Sequence, residues 1–248
     1  MSGHSKWATI KHKKGAADAK RGRIFTRIIK EISVAARAAG GDPDANPRLR
    51  TIIAEAKASN MPAENIKRAI QRGTGELPGV MYEEVTFEGY GPGGVAVLLD
   101  TATDNRNRTV SEIRHIFAKN GGNMGESGSV GWIFSKKGYI TVPKEKASED
   151  TMMNIVLEAG AEDLRDDGSQ WEIFTTPDTF EAVVQAVKQA GIEPSDAELS
   201  KIPQTYVKLE GRSVGGMLKL LEALEEHDDV QKVYSNFDAE EKELLKVE

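Results

Sequence analysis

Apolar residues in the first third of the chain recur with helical spacing. Between Asp18 and Ala39, the residues Phe25, Ile28, Ile29, Ile32 and Ala36 fall at i, i+3, i+4, i+7 and i+11, which places them on one stripe of a helix. Gly40-Gly41 stops that helix. A second helix opens with Asn46 as cap and Pro47 at the first helical position, and its apolar set is Leu49, Ile52, Ile53 and Ala56. A third begins near Pro62, carries Ile66, Ala69 and Ile70, and ends at Arg72-Gly73. Short helices with short connections predict a three-helix domain over residues 1–75. Met1–Gly15 shows no periodicity and reads as an arm, ordered only in part until it meets a partner.

Beyond the Gly/Pro-rich stretch Gly73–Val80 the pattern changes. Tyr82–Glu88 and Gly94–Asp100 read as strands, joined through the glycine-rich turn Gly89–Gly93. A helix over Arg108–Asn120 presents Val110, Ile113, Ile116 and Phe117, and a loop at Gly121–Ser129 leads to a strand at Val130–Phe134. The next elements run strand, helix, strand, strand, helix, strand: Tyr139–Val142, Glu149–Ala159, Asp163–Arg165, Trp171–Thr175, Pro177–Ala190 and Ala197–Ser200. That order is the ferredoxin-like pattern. A last strand–helix–strand unit runs through Tyr206–Leu209, Val214–Glu226 and Val230–Tyr234 and completes the unit interrupted after Phe134. The expected fold is therefore α+β and multidomain. A basic helical domain (1–75) with its arm precedes two ferredoxin-like α/β domains, one discontinuous (80–136 with 203–248) and one inserted (137–202).

Charge sharpens this division. Residues 1–75 hold 16 Lys and Arg against 6 Asp and Glu, a net of +10, whereas residues 76–248 hold 17 against 33, a net of −16. The overall −6 conceals a basic end that suits a polyanion. Lys20, Arg23, Arg27 and Lys30 lie in a narrow arc opposite the apolar stripe of the first helix, at about 100° per residue. Ten cations face only two acids in residues 1–40, so local i,i+4 pairing does not account for them. The candidate phosphate-contacting set is Lys6, Lys11, Lys13, Lys14, Lys20, Arg21, Arg23, Arg27 and Lys30, with Trp7 and His12 interleaved. Trp7 has two open roles, stacking on a base or stapling the arm to the helices. No helix-turn-helix with side chains suited to base edges is read, only cations suited to backbone.

Other candidate chemistry is thin. In Asn105-Arg106-Asn107-Arg108, an Asn caps the helix, while Arg106 and Arg108 stay open between phosphate contact and plain exposure. Gly121–Ser129 is glycine-rich, but a helix precedes it and a strand follows, the reverse of a phosphate-cradling loop, so a flexible surface loop is expected. Gly211-Arg-Ser213-Val-Gly215 matches a nucleophile elbow, yet no acid and histidine can follow in the remaining chain, and Ser213 is expected as a helix cap. His4, His12, His115 and His227 are scattered without metal-ligand spacing. No catalytic, metal or cofactor site is expected. Zero cysteines, no signal-peptide pattern and no apolar run of membrane length point to a cytoplasmic protein that makes no membrane contact.

Several segments resemble one family. MSGHSKWATIKHKK at Met1–Lys14 and DAKRGRIFTRIIK at Asp18–Lys30 are similar to the opening of the YebC family, also called PmpR-type transcriptional regulators. Further matches are Asn46–Leu49, Asn60–Pro62, Ile66–Gly75, Tyr90–Gly94, Gly121–Gly131, Ala159–Asp163 and Asp228–Tyr234, which span the whole chain. The resemblance implies a helical domain followed by two α/β domains, and DNA-binding transcriptional regulation. Mitochondrial relatives are translational activators, and some members are linked to ribosomes paused on proline-rich stretches. The expected partner is DNA, or alternatively ribosomal RNA on the ribosome, with protein partners recruited by the acidic α/β domains.

Overall fold

The computed structural model describes residues 17–245. The arm Met1–Gly15, with Lys6, Trp7, Lys11, His12, Lys13 and Lys14, lies outside the described residues. Helix α1 (Ala17–Ala39) buries Ile28, Ile32, Ala35 and Ala36 against α2 (Pro47–Ala58) and α3 (Ala63–Thr74). Gly40 ends α1 at φ 90° with its N–H on the Ala36 carbonyl. Asn46 then does two tasks. Its side-chain oxygen accepts from the Leu49 N–H at 3.1 Å, capping α2, and its amide donates to the carbonyls of Ala35 and Gly40, tying the start of α2 to the end of α1. Such a cap contributes about 1 kcal/mol.

The α2–α3 connection is a closed turn. Asn60 adopts φ 58°, the left-handed region that suits Gly or Asn after a helix end. The Met61 N–H bonds the Ala56 carbonyl and the Asn60 N–H bonds that of Lys57, the two-bond C-terminal motif in which the following apolar residue folds back. Met61 is accordingly buried in the helical core, and Pro62 starts α3. Helix α3 lies close on α1. The Ser33 hydroxyl lies between the Ile29 carbonyl at 2.9 Å and the Ala69 carbonyl of α3 at 3.1 Å and shares its proton between them. A Cβ at Gly73 would stand 2.4 Å from the Ser33 carbonyl oxygen. Only glycine permits that approach.

The chain divides into two compact units, Trp132–Thr205 and the remainder. In the remainder, β1 (Glu83–Tyr90), β2 (Ala96–Thr103), β3 (Asn123–Met124) and β9 (Val230–Ser235) form an antiparallel sheet in the order β3-β1-β2-β9. Helices α4 (Arg106–Lys119) and α7 (Arg212–Glu225) cover its face bearing Phe87, Val97, Leu99 and Val233. Helix α1 packs against β2, whose other face buries Leu98 and Ala102. A short parallel pair, β8 (Val207–Lys208) with β10 (Phe237–Asp238), and α8 (Glu241–Leu245) close this unit. The unit Trp132–Thr205 contains β4 (Phe134–Pro143), α5 (Glu149–Glu158), β5 (Ala161–Asp166), β6 (Gln170–Thr175), α6 (Phe180–Gln189) and β7 (Asp196–Pro203). Its antiparallel sheet has the order β5-β6-β4-β7, that of a ferredoxin-like fold, over a core of Ile140, Val142, Met152, Ile173 and Val183. The fold is α+β, with a helical region and two sheet domains. The sheet completed by β9 has the same layers in a different chain order.

Two local expectations change. Val130–Phe134 is not a strand. Gly131–Ile133 is a 3-10 turn, and β4 begins at Phe134. The cause is Glu88, 7% exposed, whose carboxylate accepts the N–H groups of Gly128, Val130 and Gly131 at 2.7 Å each. Those donors are thereby withdrawn from any ladder. Gly121–Ser129 is likewise no free loop, since it carries β3 and its Gly125 N–H bonds the Glu88 carbonyl. At α7, Gly211 occupies the N-cap at φ 59°, so Ser213 lies inside the first turn rather than capping it. Replacing Glu88 by Ala leaves three N–H groups without their acceptor. It is expected to lower the unfolding free energy by about 2–4 kcal/mol. Urea denaturation measures the loss, and amide exchange should quicken at residues 128, 130 and 131; unchanged exchange there refutes the cradle.

Candidate nucleic-acid interface

The cationic row on α1 is met by the end of another helix. Arg23 Nη1 lies 3.1 Å from Glu226 Oε1, Arg27 donates to the Glu225 carbonyl, and Lys30 Nζ donates to the Asp228 carbonyl at 2.9 Å and to Asp229 Oδ1 at 2.6 Å. The spacing 23, 27, 30 puts all three on one face of α1. Their partners are the last carbonyl of α7 and the acidic segment after it. The Glu225 carbonyl has no intrahelical donor and lies at the negative end of the helix dipole. Helix α7 has no basic residue in its own last turn, so α1 supplies the compensating charge.

Asp229 is the hub. It is 2% exposed, and Lys30 is 6% exposed, so the pair is buried. Asp229 Oδ2 also accepts from Arg108 Nη2 and Thr109 Oγ1, both at 2.7 Å, while the Asp229 carbonyl accepts the Ala102 N–H from β2. Thr103 Oγ1 stands 2.7 Å from Thr109 Oγ1 and extends the network to the end of β2. Burial by itself pushes the Asp229 carboxyl up. The bonds from Lys30, Thr109 and Arg108 outweigh it and hold the group well below the usual carboxylate range. Lys30 also lies 5.4 Å from the centre of the Tyr82 ring.

An open cleft of about 830 Å³ borders this network, lined by Lys30, Tyr82, Arg108, Glu112, His115 and His227 among others. His227 Nδ1 accepts the Asp229 N–H at 3.1 Å, so in the neutral ring the proton is on Nε2, which faces Glu112 Oε2 at 2.9 Å. Glu112, His227 and Asp229 bring ligand atoms within 4.8 Å of one another. Both Asp229 oxygens already serve Lys30, Arg108 and Thr109, and two cationic side chains beside them oppose a metal ion. Glu112 and Asp229 are the acidic half of a salt-bridge network, with His227 bridging them.

The sequence-derived candidates thus separate. Lys20 and Arg21 belong to the first turns of α1. Arg23, Arg27 and Lys30 are brought together at the end of α7 and the segment after it, and burial of Lys30 corrects its reading as a surface phosphate contact. Arg108 is likewise engaged, with Asp104 at 2.9 Å, Asp229 at 2.7 Å and Glu112 at 3.7 Å. Asn105 is the cap of α4, accepting the Arg108 N–H, and Arg106 is exposed. The sequence reading missed Asp229, Thr109 and His227, which lie far along the chain from Lys30. One signal was present: the helix ending at Glu225 is followed by Glu226, Asp228 and Asp229 with no Lys or Arg among them, an end that needs cations from elsewhere. Exposed cations that make no ion pair among the described residues stand on α2 and α3: Arg50, Lys57, Lys67, Arg68 and Arg72.

Asp229→Ala leaves Lys30 buried without its counter-charge and is expected to cost about 3–5 kcal/mol of stability. Lys30→Met combined with Asp229→Leu should recover much of that loss, as urea unfolding of the three variants will measure. A cost below about 1 kcal/mol for Asp229→Ala would show that the pair is not structural. The depressed carboxyl also sets a pH dependence. Its stabilisation is fully present above the unfolded-state value, about 3.9, and drains away as pH falls through the folded value. The wild-type protein should therefore lose stability on acidification more steeply than Asp229→Asn.

Comparison with known proteins agrees with this organisation. Residues 5–76 match the TACO1/YebC protein N-terminal domain, and residues 82–237 match the TACO1/YebC second and third domain. A protein of Acidobacterium capsulatum named probable transcriptional regulatory protein is 69% identical over 243 residues, covering 98% of each chain. One of the same designation from Koribacter versatilis is 67% identical over 247 residues, covering 100% of this chain and 99% of the relative. The crystal structure of a conserved hypothetical protein from Aquifex aeolicus superposes with a TM-score of 0.81 at 47% identity, over 94% of this chain and 96% of that one. With both domain matches covering most of its length in the order that the fold displays, the chain belongs to the TACO1/YebC family.

Proposed function

We propose that this protein is a cytoplasmic transcriptional regulator that binds DNA and performs no catalysis. The observation that carries the reading is the charge divide: the helical domain and arm keep a net of +10 against −16 elsewhere. Arg27 and Lys30 are engaged at the end of α7 and in the segment after it, and Arg23 pairs with Glu226 at the surface. Phosphate contact by the arm then falls to Lys6, Lys11, Lys13 and Lys14, with Trp7, His12, Lys20 and Arg21, and exposed Arg106 can join it. The relatives' shared designation supports regulation of transcription, and the acidic sheet domains suit protein partners. No described helix is long and apolar enough to cross a membrane.

Titrating a fluorescent duplex with the protein at several salt concentrations tests the reading. Replacing Lys11, Lys13 and Lys14 together by Ala should weaken binding and reduce the slope of log K against log salt by roughly 2–3, since each phosphate contact contributes about 0.9. Arg27→Ala should instead lower stability and leave that slope nearly unchanged. Crosslinking in cells followed by sequencing of bound nucleic acid decides the partner. Promoter DNA supports the proposal, and recovery of ribosomal RNA in its place overturns it.

A further inference from the structure

Helix α3 presents an outer face that is both open and chemically ordered. Its inner side is occupied by Ile66, Ala69, Ile70 and Gly73, packed on α1. At about 100° per residue, the positions opposite that side are 64, 68 and 71, flanked by 67 on one edge and 72 on the other. Those positions hold Glu64, Arg68 and Gln71 in the central row, with Lys67 and Arg72 at the edges. Glu64, Lys67, Arg68 and Arg72 are exposed, and Gln71 is half-buried. The central row consists of side-chain types that pair with base edges in the major groove: Arg with guanine, Gln with adenine, and Glu with the cytosine amino group. The flanking cations are placed for the two phosphate backbones that border a groove.

The connection supports the same use. Helix α2, the four residues Ser59–Pro62 and α3 make two helices joined by a tight turn, fixed by the left-handed Asn60 and the buried Met61. Helix α2 carries Arg50 and Lys57 on its exposed side, where the first helix of such a pair crosses the backbone. The support is stiff, because α3 is held to α1 by the Ser33–Ala69 bond and the close approach at Gly73, while α1 is anchored through Lys30 to Asp229. Arg27 and Lys30 of α1 are thereby engaged within the fold, and α3 faces outward on the opposite side of its own packing seam. A cationic, amide-bearing ridge of one helix's width complements a polyanionic groove.

We infer that α2, the Ser59–Pro62 turn and α3 form a helix-turn-helix unit whose second helix enters the major groove of duplex DNA, with Arg68 and Gln71 reading base edges and Lys67 and Arg72 contacting phosphates. This inference rests on the DNA-binding reading above and adds the element that discriminates sequence. It reverses the expectation from sequence that only backbone-contacting cations are present, because the Asn60 turn and the outward row of α3 emerge only in the fold.

The test uses the full chain. Duplexes are selected from a random-sequence double-stranded DNA pool and sequenced. Affinities are then compared for the selected duplex and a scrambled one, at one salt concentration and across a salt series. Arg68→Ala and Gln71→Ala should each cut the preference for the selected duplex by roughly 10- to 100-fold while changing affinity for the scrambled one little. Lys67→Ala and Arg72→Ala should weaken both duplexes alike and each reduce the salt slope by about 1. All four positions are on the outer face, and an unchanged thermal melt establishes that each variant is folded. Full preference retained by both Arg68→Ala and Gln71→Ala overturns the inference and leaves DNA binding standing. A wild-type protein that binds duplex with no sequence preference does the same. Failure of the wild-type chain to bind any duplex overturns the DNA-binding reading as well.

Discussion

The arrangement of this protein depends on one buried ion pair. Lys30 and Asp229 are 199 positions apart in the chain and 2.6 Å apart in space, with almost no solvent access. Burying two charges is unfavourable unless their remaining hydrogen-bonding capacity is filled. Here it is filled on every side, by the Asp228 carbonyl for the ammonium, and by Arg108 and Thr109 for the carboxylate. That requirement fixes α1 against the end of α7 and the strand pair β2–β9. Once α1 is so placed, α3 follows through its close seam at Gly73, and the outward face of α3 is determined with it.

The same geometry changes what the cations of α1 mean. A row of Arg and Lys opposite an apolar stripe has the form of a phosphate-binding face, and local acids are too few to neutralise it. The missing anion is the end of a helix near the other end of the chain. Backbone carbonyls at that end contribute as much as carboxylates do, since Arg27 and Lys30 each bond one. Positive charge in this domain therefore has two uses. Three residues of α1, together with Arg48 of α2 on Glu84 of β1, join the helical region to the rest of the unit, whereas Arg50, Lys57, Lys67, Arg68 and Arg72 remain exposed.

A parallel case lies in the glycine-rich segment around Gly125. Its N–H groups do converge on an anion, as glycine-rich loops often do, but that anion is the protein's own Glu88. The carboxylate ends the loop and prevents a strand at Val130. Internal anions satisfy both the basic helix and the glycine loop, so in each case a motif associated with phosphate serves the fold.

Local signals by themselves determined much of this protein. The helical stripe of α1, the Asn46-Pro47 start of α2 and the alternation of strands and helices from Tyr139 to Ser200 are set by contacts within a few residues, and they are legible for that reason. The surplus of cations in the first 75 residues was equally plain. Tertiary structure alone decided where those cations point. Asp229 and Glu225 meet α1 only in the fold in which β9 pairs with β2, and no periodicity relates residues so far apart. Tertiary structure also decided that Glu88 would claim the N–H groups of the glycine loop, and that the Asn60 turn would leave Arg68 and Gln71 facing outward. Local order follows from neighbours in the chain, whereas the pairing of buried charges follows from which surfaces meet.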